Sequence, residues 1–232
     1  MQLLAGTSGF AYKEWKGSFY PRELPDAAML RYYAERFRTV EINNTFYRMP
    51  TEPLLARWSG EVSDRFAFVL KAPRRITHEK RLKGTGDDVA QLMRVAAVLG
   101  ARLGPILFQL PPFARIDAPC LRDFLAALPP GTSAAFEFRH PSWFDDAVYQ
   151  ALRDAGAVLC VADTDEEGAT PLVATASWGY LRLRRQGYDD PQLRAWAERV
   201  GAQPWERAFV FFKHEDAGTG PKLASRFLEL AA

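Results

Sequence analysis

The sequence predicts an α/β fold, a single (β/α)8 TIM barrel that occupies residues 1–232. Short apolar runs typical of buried strands recur along the chain, and stretches with helical periodicity follow them. The spacing between consecutive runs leaves room for a helical crossover between parallel strands. A doubly wound open sheet is the alternative, but no G-x-G-x-x-G motif follows the first run and no G-x-x-x-x-G-K-[ST] motif is present.

The individual elements follow from local signals. Strands are expected at residues 3–7, 39–43, 66–71, 104–110, 133–139, 157–163, 178–184 and 207–213. Helices are expected at 26–37 with Asp26 as N-cap, at 87–99 before Gly100, at 142–155 before Gly156, and at 191–200 with Pro191 in the first turn. Residues 164–177, after the sixth strand, have room for only a turn of helix.

The composition excludes several classes of protein. With 48% hydrophobic and 25% charged residues, the chain can bury a core and is not disordered. A net charge of +2 is too balanced for a polybasic protein, and no apolar run is long enough to span a membrane. We expect a cytoplasmic protein, because the N-terminus lacks signal-peptide features and Cys120 and Cys160 are too few for a disulfide framework. Both thiols are expected to be reduced and buried.

Strand parity predicts the functional site. Successive side chains of a strand point to opposite faces, so if Val40 and Ile42 face the helices, Glu41 and Asn43 face the barrel axis. By the same argument Cys160 and Ala162 face outward. The residues expected at the C-terminal mouth, where barrel enzymes carry their chemistry, are Thr7, Glu41, Asn43, Lys71, Gln109, Glu137, Arg139, Asp163, Arg182, Arg184 and Lys213, with His214 just beyond.

The charges of this set predict an anionic ligand. Three carboxylates face five cations, and a surplus of cations in one opening suits a phosphorylated or carboxylated small molecule. The alternative is a group of ion pairs that only closes the barrel, although burying so many ions is costly.

We assign the candidate roles by residue type. Glu41 and Glu137, helped by Asp163, are the candidate acid/base residues, unless one of them only anchors an arginine. Lys71 can form a Schiff base if it is desolvated, but near carboxylates we expect it to stay protonated. The candidate substrate-binding residues are Thr7, Asn43, Tyr47, Lys71, Gln109, Arg139, His140, Arg182, Arg184, Lys213 and His214. Either a hydrolase or a lyase fits these groups.

No cofactor is predicted, and a metal is not favoured. The chain has three histidines, His78, His140 and His214, and no H-E-x-x-H or other close ligand pair. For His140 the simpler alternative is packing at the start of a helix. The glycine-rich run 217–222 precedes the last helix, where barrels often bind phosphate, but an ordinary loop explains it equally.

Two loops leave nucleic-acid binding open as an alternative function. Aromatic residues follow the first strand, at Phe10, Tyr12, Trp15, Phe19 and Tyr20. A basic run follows the third strand, at Arg74, Arg75, Lys80, Arg81 and Lys83. Aromatics beside cations suit base stacking and phosphate binding, whereas packing under a loop and a solvated surface are the plainer explanations. A non-catalytic ligand sensor is a further alternative, and the sequence leaves the oligomeric state open.

Long stretches of the chain resemble a known family. The resemblance is carried by Gly6–Gly17, Val40–Pro50, Phe68–His78, Leu103–Pro112 and Phe136–Phe144. These strings are similar to those of domain-of-unknown-function family 72, the YecE-like TIM-barrel proteins, which implies the barrel fold but no reaction. The chain departs from the family pattern at strands seven and eight, where Arg184 and Arg185 replace a His-Gly pair and Lys213-His214 replaces a pair of asparagines.

Overall fold

A computed structural model describes residues 1–165 and 170–232, in which strands alternate with helices. The strands are β1 (Gln2–Thr7), β2 (Thr39–Ile42), β3 (Ala67–Lys71), β4 (Leu103–Gln109), β5 (Ala134–Glu137), β6 (Val158–Leu159), β7 (Val161–Asp163), β8 (Trp178–Leu183) and β9 (Arg207–Phe212). The α-helices are α1 (Met29–Ala34), α2 (Glu52–Glu61), α3 (Gly86–Ala96), α4 (Ala118–Ala127), α5 (Asp146–Asp154), α6 (Asp190–Gly201) and α7 (Thr219–Leu230). Short 3-10 turns and one π-helical turn, Arg75–Glu79, join them.

The strands form a closed parallel ring. One sheet has the order β1-β9-β8-β7 and the other the order β2-β3-β4-β5-β6. The sheets join at Cys160, where the sixth predicted strand breaks into β6 and β7, and again where Ser8 bridges Glu41 and Gly9 N donates to the Glu41 carbonyl (2.8 Å). The predicted TIM barrel is therefore confirmed, and each predicted strand has a counterpart.

The helices differ from the prediction mainly at their ends. Asp26 does not cap a helix: it lies in a 3-10 turn before α1, and its carboxylate pairs with Lys16 at 2.7 Å. The helix expected at 87–99 ends earlier and continues as a 3-10 turn to Arg102, with Gly100 at φ 54°. Of the expected helical turn at 164–177, residues 166–169 lie outside the described residues, and 170–177 contain no helix.

Apolar side chains separate into two layers. The larger layer lies between strands and helices, and the smaller one fills the barrel interior. The interior layer consists of Leu4, Val69, Leu107, Ala135, Val158, Cys160, Trp178, Tyr180, Phe209 and Phe211. Cys160 is therefore buried as expected, although inside the barrel, while Cys120 is partly exposed. This dry interior forms the floor beneath the C-terminal ends of the strands, which we call the mouth.

β1 and β2 approach each other closely at Gly6 and Thr39. The Tyr33 hydroxyl sits in the gap, accepting from Thr7 N (2.8 Å) and donating to the Thr39 carbonyl (3.1 Å). Gly6 lies against the same carbonyl, and a Cβ on Gly6 would overlap the Thr39 oxygen and approach the Tyr33 hydroxyl to 2.8 Å. Only a glycine lets the two strands meet at this distance.

Gly6→Ala is expected to lower the free energy of unfolding by about 1–3 kcal/mol, because the added methyl group must push backbone apart. Gly60→Ala is the matched control: Gly60 lies in α2 with open space around it, and alanine there should raise stability by roughly 0.5–1 kcal/mol. Urea unfolding of both variants measures the difference. Equal effects would mean that the close approach at Gly6 is unimportant.

Candidate functional site

Two buried carboxylates share one buried arginine at the base of the mouth. Arg182, on β8, donates from Nη1 to Glu137 Oε2 (2.5 Å) and from Nη2 to Glu41 Oε1 (2.8 Å). All three side chains are at most 2% exposed. Glu41 is on β2 and Glu137 ends β5, so this group, which we call the buried bridge, ties together three separated strands.

Glu41 is fully supplied with donors. Besides Arg182, its carboxylate accepts from Ser8 Oγ (2.6 Å) and Tyr180 OH (2.5 Å). Burial alone would raise the pKa of Glu41, but the charge of Arg182 and these hydrogen bonds outweigh burial and lower that pKa below its usual value. Glu41 is therefore held as an anion.

Glu137 collects even more donors. Its Oε1 atom accepts from Gln109 Nε2 (2.7 Å), and Arg139 Nε (3.3 Å) and Arg184 Nη1 (3.4 Å) lie at the same oxygen. Burial opposes ionisation, yet Arg182, Arg184 and Arg139 together lower the pKa of Glu137 to about 2. A carboxylate so strongly stabilised is a weak base.

Lys71, which ends β3, is buried beside the bridge without joining it. Its Nζ donates to Gln109 Oε1 (2.7 Å) and lies 4.1 Å from the centre of the Phe46 ring. Among the described residues no carboxylate oxygen lies within 4.0 Å of this ammonium group, because Gln109 stands between it and Glu137. Burial, followed by repulsion from Arg182, lowers the pKa of Lys71 to about 8.

Three further cations surround the opening, and we call Arg139, Arg184 and Lys213 the rim cations. Arg139 and Lys213 have side chains that are 30% and 39% exposed, and Arg184 is less exposed. Burial and then repulsion from Arg182 lower the pKa of Arg184. Burial and then repulsion from Arg184 lower the pKa of Lys213. The cations at the mouth therefore destabilise one another.

Several buried donors at the mouth have no acceptor within the described part of the chain. They are Asn43 Nδ2, Arg182 Nε and Arg184 Nε. Asn43 uses its other amide atom, Oδ1, toward Arg182 Nη2 at 3.4 Å. Buried donors are normally paired, so this group has unused capacity to bind acceptors.

His78 lies next to the site, in the π-helical turn after β3. Its ring meets the Phe46 ring edge-on at 4.8 Å, and its Nδ1 atom is 2.9 Å from Thr77 Oγ1. Burial, and then the charges of Lys71 and Arg139, lower the pKa of His78 to about 4. His78 is therefore neutral at pH 7, and π-helical turns often occur at functional sites.

Strand parity was wrong at strand one. Thr7 points toward the helices, where its Oγ1 lies 2.9 Å from Tyr33 OH and donates to the Gly9 carbonyl (2.6 Å). The next residue, Ser8, faces the axis and binds Glu41. The same alternation is seen earlier in β1, where Leu4 faces the interior layer and Ala5 faces the outer layer.

Parity was also wrong at strand six. Asp163 faces outward, where its Oδ2 atom accepts from Tyr188 OH (2.9 Å) and Trp196 Nε1 (3.0 Å). Cys160 faces the interior instead. The reason is that an apolar residue on a barrel strand can face either layer, so its hydrophobicity does not fix the direction.

The remaining predicted residues lie at or beyond the edge of the mouth. Tyr47 is 75% exposed and its ring contacts only Phe46 among the aromatic residues described. His140 caps the turn that follows β5, accepting at Nδ1 from Ser142 N (3.2 Å). His214 is buried, with Nε2 2.6 Å from the Arg185 carbonyl. His140 thus has the simpler role considered from the sequence, at the start of a helical turn.

The aromatic and basic loops are largely occupied by internal contacts. Of the aromatic set, Phe10, Trp15 and Tyr20 are buried. In the basic set, the cations form the ion pairs Arg74–Glu79 (3.1 Å), Arg75–Asp88 (2.7 Å), Lys80–Asp88 (2.6 Å) and Lys83–Asp117 (2.8 Å). The glycine-rich run is also packed, since Gly218 and Gly220 lie against Ser18, Thr7 and Trp15.

Sequence reasoning missed three residues of this region, Tyr180, Ser8 and Phe46. Tyr180 lies two positions before Arg182 on the same strand face, so parity extended one step deeper would have found it. Predicting Ser8 required knowing which residues of β1 face the barrel axis. Phe46 lies on a turn after β2, where no periodic signal indicates direction. His78, on the turn after β3, was considered from the sequence only as a metal ligand.

Neither a metal site nor a membrane span is indicated. In residues 1–165 and 170–232, no three His, Cys, Asp or Glu side chains are grouped so that they could hold a metal ion. No helix in the same residues has the length and apolar character to cross a membrane.

Comparison with known proteins gives a consistent result. A family model described as "Protein of unknown function DUF72" matches residues 4–232. The UPF0759 protein YecE of Escherichia coli K12 is 34% identical over 116 residues, which cover 50% of this chain and 43% of that protein. The UPF0759 protein YunF of Bacillus subtilis is 24% identical over 215 residues, covering 85% and 74%. The aligned part thus spans less than half of the Escherichia coli relative.

Solved structures resemble the whole chain. A DUF72 family protein of Thermotoga maritima has a TM-score of 0.86 and 26% identity, with 99% of each chain covered. A DUF72 family protein of Enterococcus faecalis has a TM-score of 0.82 and 17% identity, with 99% of this chain and 95% of that chain covered. The second likeness concerns the fold alone.

Arg182→Met is expected to lower the free energy of unfolding by about 3–5 kcal/mol, because Glu41 and Glu137 would stay buried without their shared cation. Arg226→Met removes an exposed arginine that pairs with Asp190 and Glu229, and it should change stability far less. Denaturant unfolding at pH 7 compares the two. A loss no larger than that of the control would contradict a structural role for the bridge.

Glu137 should also make stability fall in acid. Its pKa is about 2 in the folded protein and about 4.3 when unfolded, so its contribution of about 3 kcal/mol is present above pH 4.3 and is lost toward pH 2. Glu137→Gln should flatten the curve of unfolding free energy between pH 5 and 2, relative to Glu229→Gln on the surface. An unchanged slope would show that Glu137 does not titrate as described.

Proposed function

We propose, from the premise that this chain belongs to the DUF72 family, that it is an enzyme with a single barrel domain, residues 1–232. Its active site would be the mouth, and its substrate a small phosphorylated or carboxylated molecule. Hydrolysis and lyase-type cleavage both remain compatible with this site.

The observation that carries the proposal is the unbalanced charge at the mouth. Since Asp163 faces away, five cations (Lys71, Arg139, Arg182, Arg184 and Lys213) surround the two buried carboxylates Glu41 and Glu137, and one further carboxylate, the exposed Glu215, lies 3.9 Å from Lys213. The two carboxylates are already saturated with donors. Burial and then repulsion between the cations lower the pKa of Lys71, Arg184 and Lys213, and a bound anion would relieve that repulsion.

A purely structural explanation accounts for less. Ion pairs that only closed the barrel would need roughly equal numbers of both signs, and the buried bridge alone already supplies that closure. Lys71 donates to an amide rather than to a carboxylate, and Lys213 is paired only at 3.9 Å with the exposed Glu215, so both add destabilised charge without a close pair to either bridge carboxylate. Such a cost to stability is typical of functional sites.

The carboxylates fit a positioning role better than the acid/base role expected from the sequence. Both pKa values are lowered, and each carboxylate accepts several donors. Lys71 has the pKa closest to neutrality among the mouth residues whose values are displaced, so it is the better candidate for proton transfer. Glu41 and Glu137 would hold Arg182, and through Gln109 also Lys71.

The two alternative functions have less support. Nucleic-acid binding relied on loops whose aromatic rings are largely buried and whose cations are mostly paired. A ligand sensor would use the same rim cations. It would not need a buried lysine kept apart from the carboxylates, which is a feature of reactive amines.

Inorganic phosphate should raise the melting temperature of the protein by about 3–5 °C when present at ten times its dissociation constant, compared with sodium chloride at equal ionic strength. Arg184→Gln or Lys213→Gln should reduce this shift at least by half, because each removes a cation of the mouth. Arg75→Gln, which removes a surface cation paired with Asp88, should leave it unchanged. A chloride effect as large as that of phosphate would exclude the anion site.

A further inference from the structure

We propose that Lys71 is a nucleophile whose Nζ atom forms an imine with the carbonyl carbon of an anionic aldehyde or ketone, such as a 2-oxo acid or a keto-sugar phosphate. This inference rests on the proposed anion site and specifies its substrate class. It makes Lys71 a catalytic residue and leaves the rim cations to bind the carboxylate or phosphate group.

The amine of Lys71 is buried at the end of a barrel strand. Lys71 is 9% exposed and lies at the inner end of the mouth, at the last residue of β3. Within the described residues, the one hydrogen bond of Nζ goes to the Gln109 amide oxygen, and the Phe46 ring covers one side. An ammonium group has three donors, and this bond uses one of them.

Among the described residues, the amine is hydrogen-bonded to an amide and not to a carboxylate. A lysine buried for stability is usually paired with a carboxylate. Here the side chain of Gln109, on the neighbouring strand, lies between Lys71 and Glu137. It accepts from Lys71 Nζ (2.7 Å) and donates to Glu137 Oε1 (2.7 Å). The amide orients the amine without fixing its charge.

Burial and the nearby arginines favour the neutral form of the amine. Arg182 and Arg139 face Lys71 from β8 and from the end of β5, while Glu137 and Glu41 face it from β5 and β2. Burial and the arginines outweigh the carboxylates, so the pKa is about 8. About a tenth of Lys71 is then a free amine at pH 7, compared with less than a thousandth of a solvated lysine.

Imine formation between Lys71 and the carbonyl substrate needs no further reactant. The amine of Lys71 attacks the carbonyl carbon, forming a C–N bond and moving the C=O electron pair to oxygen, which takes up a proton to give a carbinolamine. The C–O bond then breaks and the oxygen leaves as water, with the proton that Nζ released. The resulting iminium ion withdraws electrons from the adjacent carbon, which eases loss of a proton, of carbon dioxide or of a carbon fragment there.

The anionic group of the substrate would bind close to this amine. Glu137 Oε1 contacts both Gln109 and the guanidinium groups of Arg139 and Arg184. Lys71 and these arginines are thus separated by one glutamine and one carboxylate. The substrate proposed here would hold its anionic group at these arginines and present its carbonyl carbon to Nζ.

The test is reductive trapping of the full chain. The protein is incubated with sodium cyanoborohydride and either dihydroxyacetone phosphate or pyruvate, with dihydroxyacetone and acetone as uncharged counterparts, and the modified peptides are mapped by mass spectrometry. We expect modification of Lys71 at least tenfold faster than of any other lysine, faster with the anionic compounds, and rising with pH up to a plateau above about pH 8. Absence of selective labelling at Lys71 with both anionic compounds would overturn the proposal.

Two variants separate imine formation from anion binding. Lys71→Arg keeps a cation but forms no imine, so the selective label should disappear while the phosphate-induced rise in melting temperature remains. Lys83→Arg, which alters an exposed lysine paired with Asp117, should keep both. If phosphate stabilises the protein but Lys71 is not labelled, only the imine proposal fails. If phosphate has no effect either, the anion site fails with it.

Discussion

The buried bridge of Glu41, Arg182 and Glu137 is the interaction on which the arrangement of the mouth depends. Its members come from β2, β8 and β5, which lie well apart around the ring, so their contact fixes where three strand ends meet. Removing two carboxylates and a guanidinium from water is costly, and the cost is offset only when every oxygen is hydrogen-bonded. Ser8, Tyr180 and Gln109 complete that set.

The bridge divides the mouth into two kinds of charge. Below lies a group whose carboxylates and guanidinium stabilise one another and whose ionisation is locked. Beside it lie Lys71 and the rim cations, whose contacts with carboxylates are longer or indirect: Arg139 and Arg184 lie 3.3 and 3.4 Å from Glu137 Oε1, and Lys213 lies 3.9 Å from Glu215. The carboxylates of the bridge have close hydrogen-bond partners, whereas the rim cations do not. This contrast allows a protein of marginal stability to keep charged groups available to a ligand.

The sequence was sufficient to predict the barrel and most of the residues in its mouth. Parity worked at Glu41, Lys71, Gln109, Glu137 and Arg182 because bulky apolar neighbours on these strands face the helices. It failed at Thr7 and Asp163. The first strand carries small residues that fit either layer, and the sixth strand changes sheets at Cys160, so local hydrophobicity did not define a direction. Ring stacking and donor sharing, as at Phe46 and Gln109, depend on residues distant in sequence and could not be predicted from a single strand.

The separation between bridge and rim has a consequence for how such barrels diverge. Replacing one bridge residue leaves a buried charge without its partner, so the bridge can change only through coordinated substitutions on several strands. Arg184 and Lys213 lie at strand ends near solvent, where single replacements leave the interior intact. These are also positions at which the chain departs from the pattern it otherwise resembles. Relatives can therefore inherit one scaffold and still acquire different ligand preferences, one rim residue at a time.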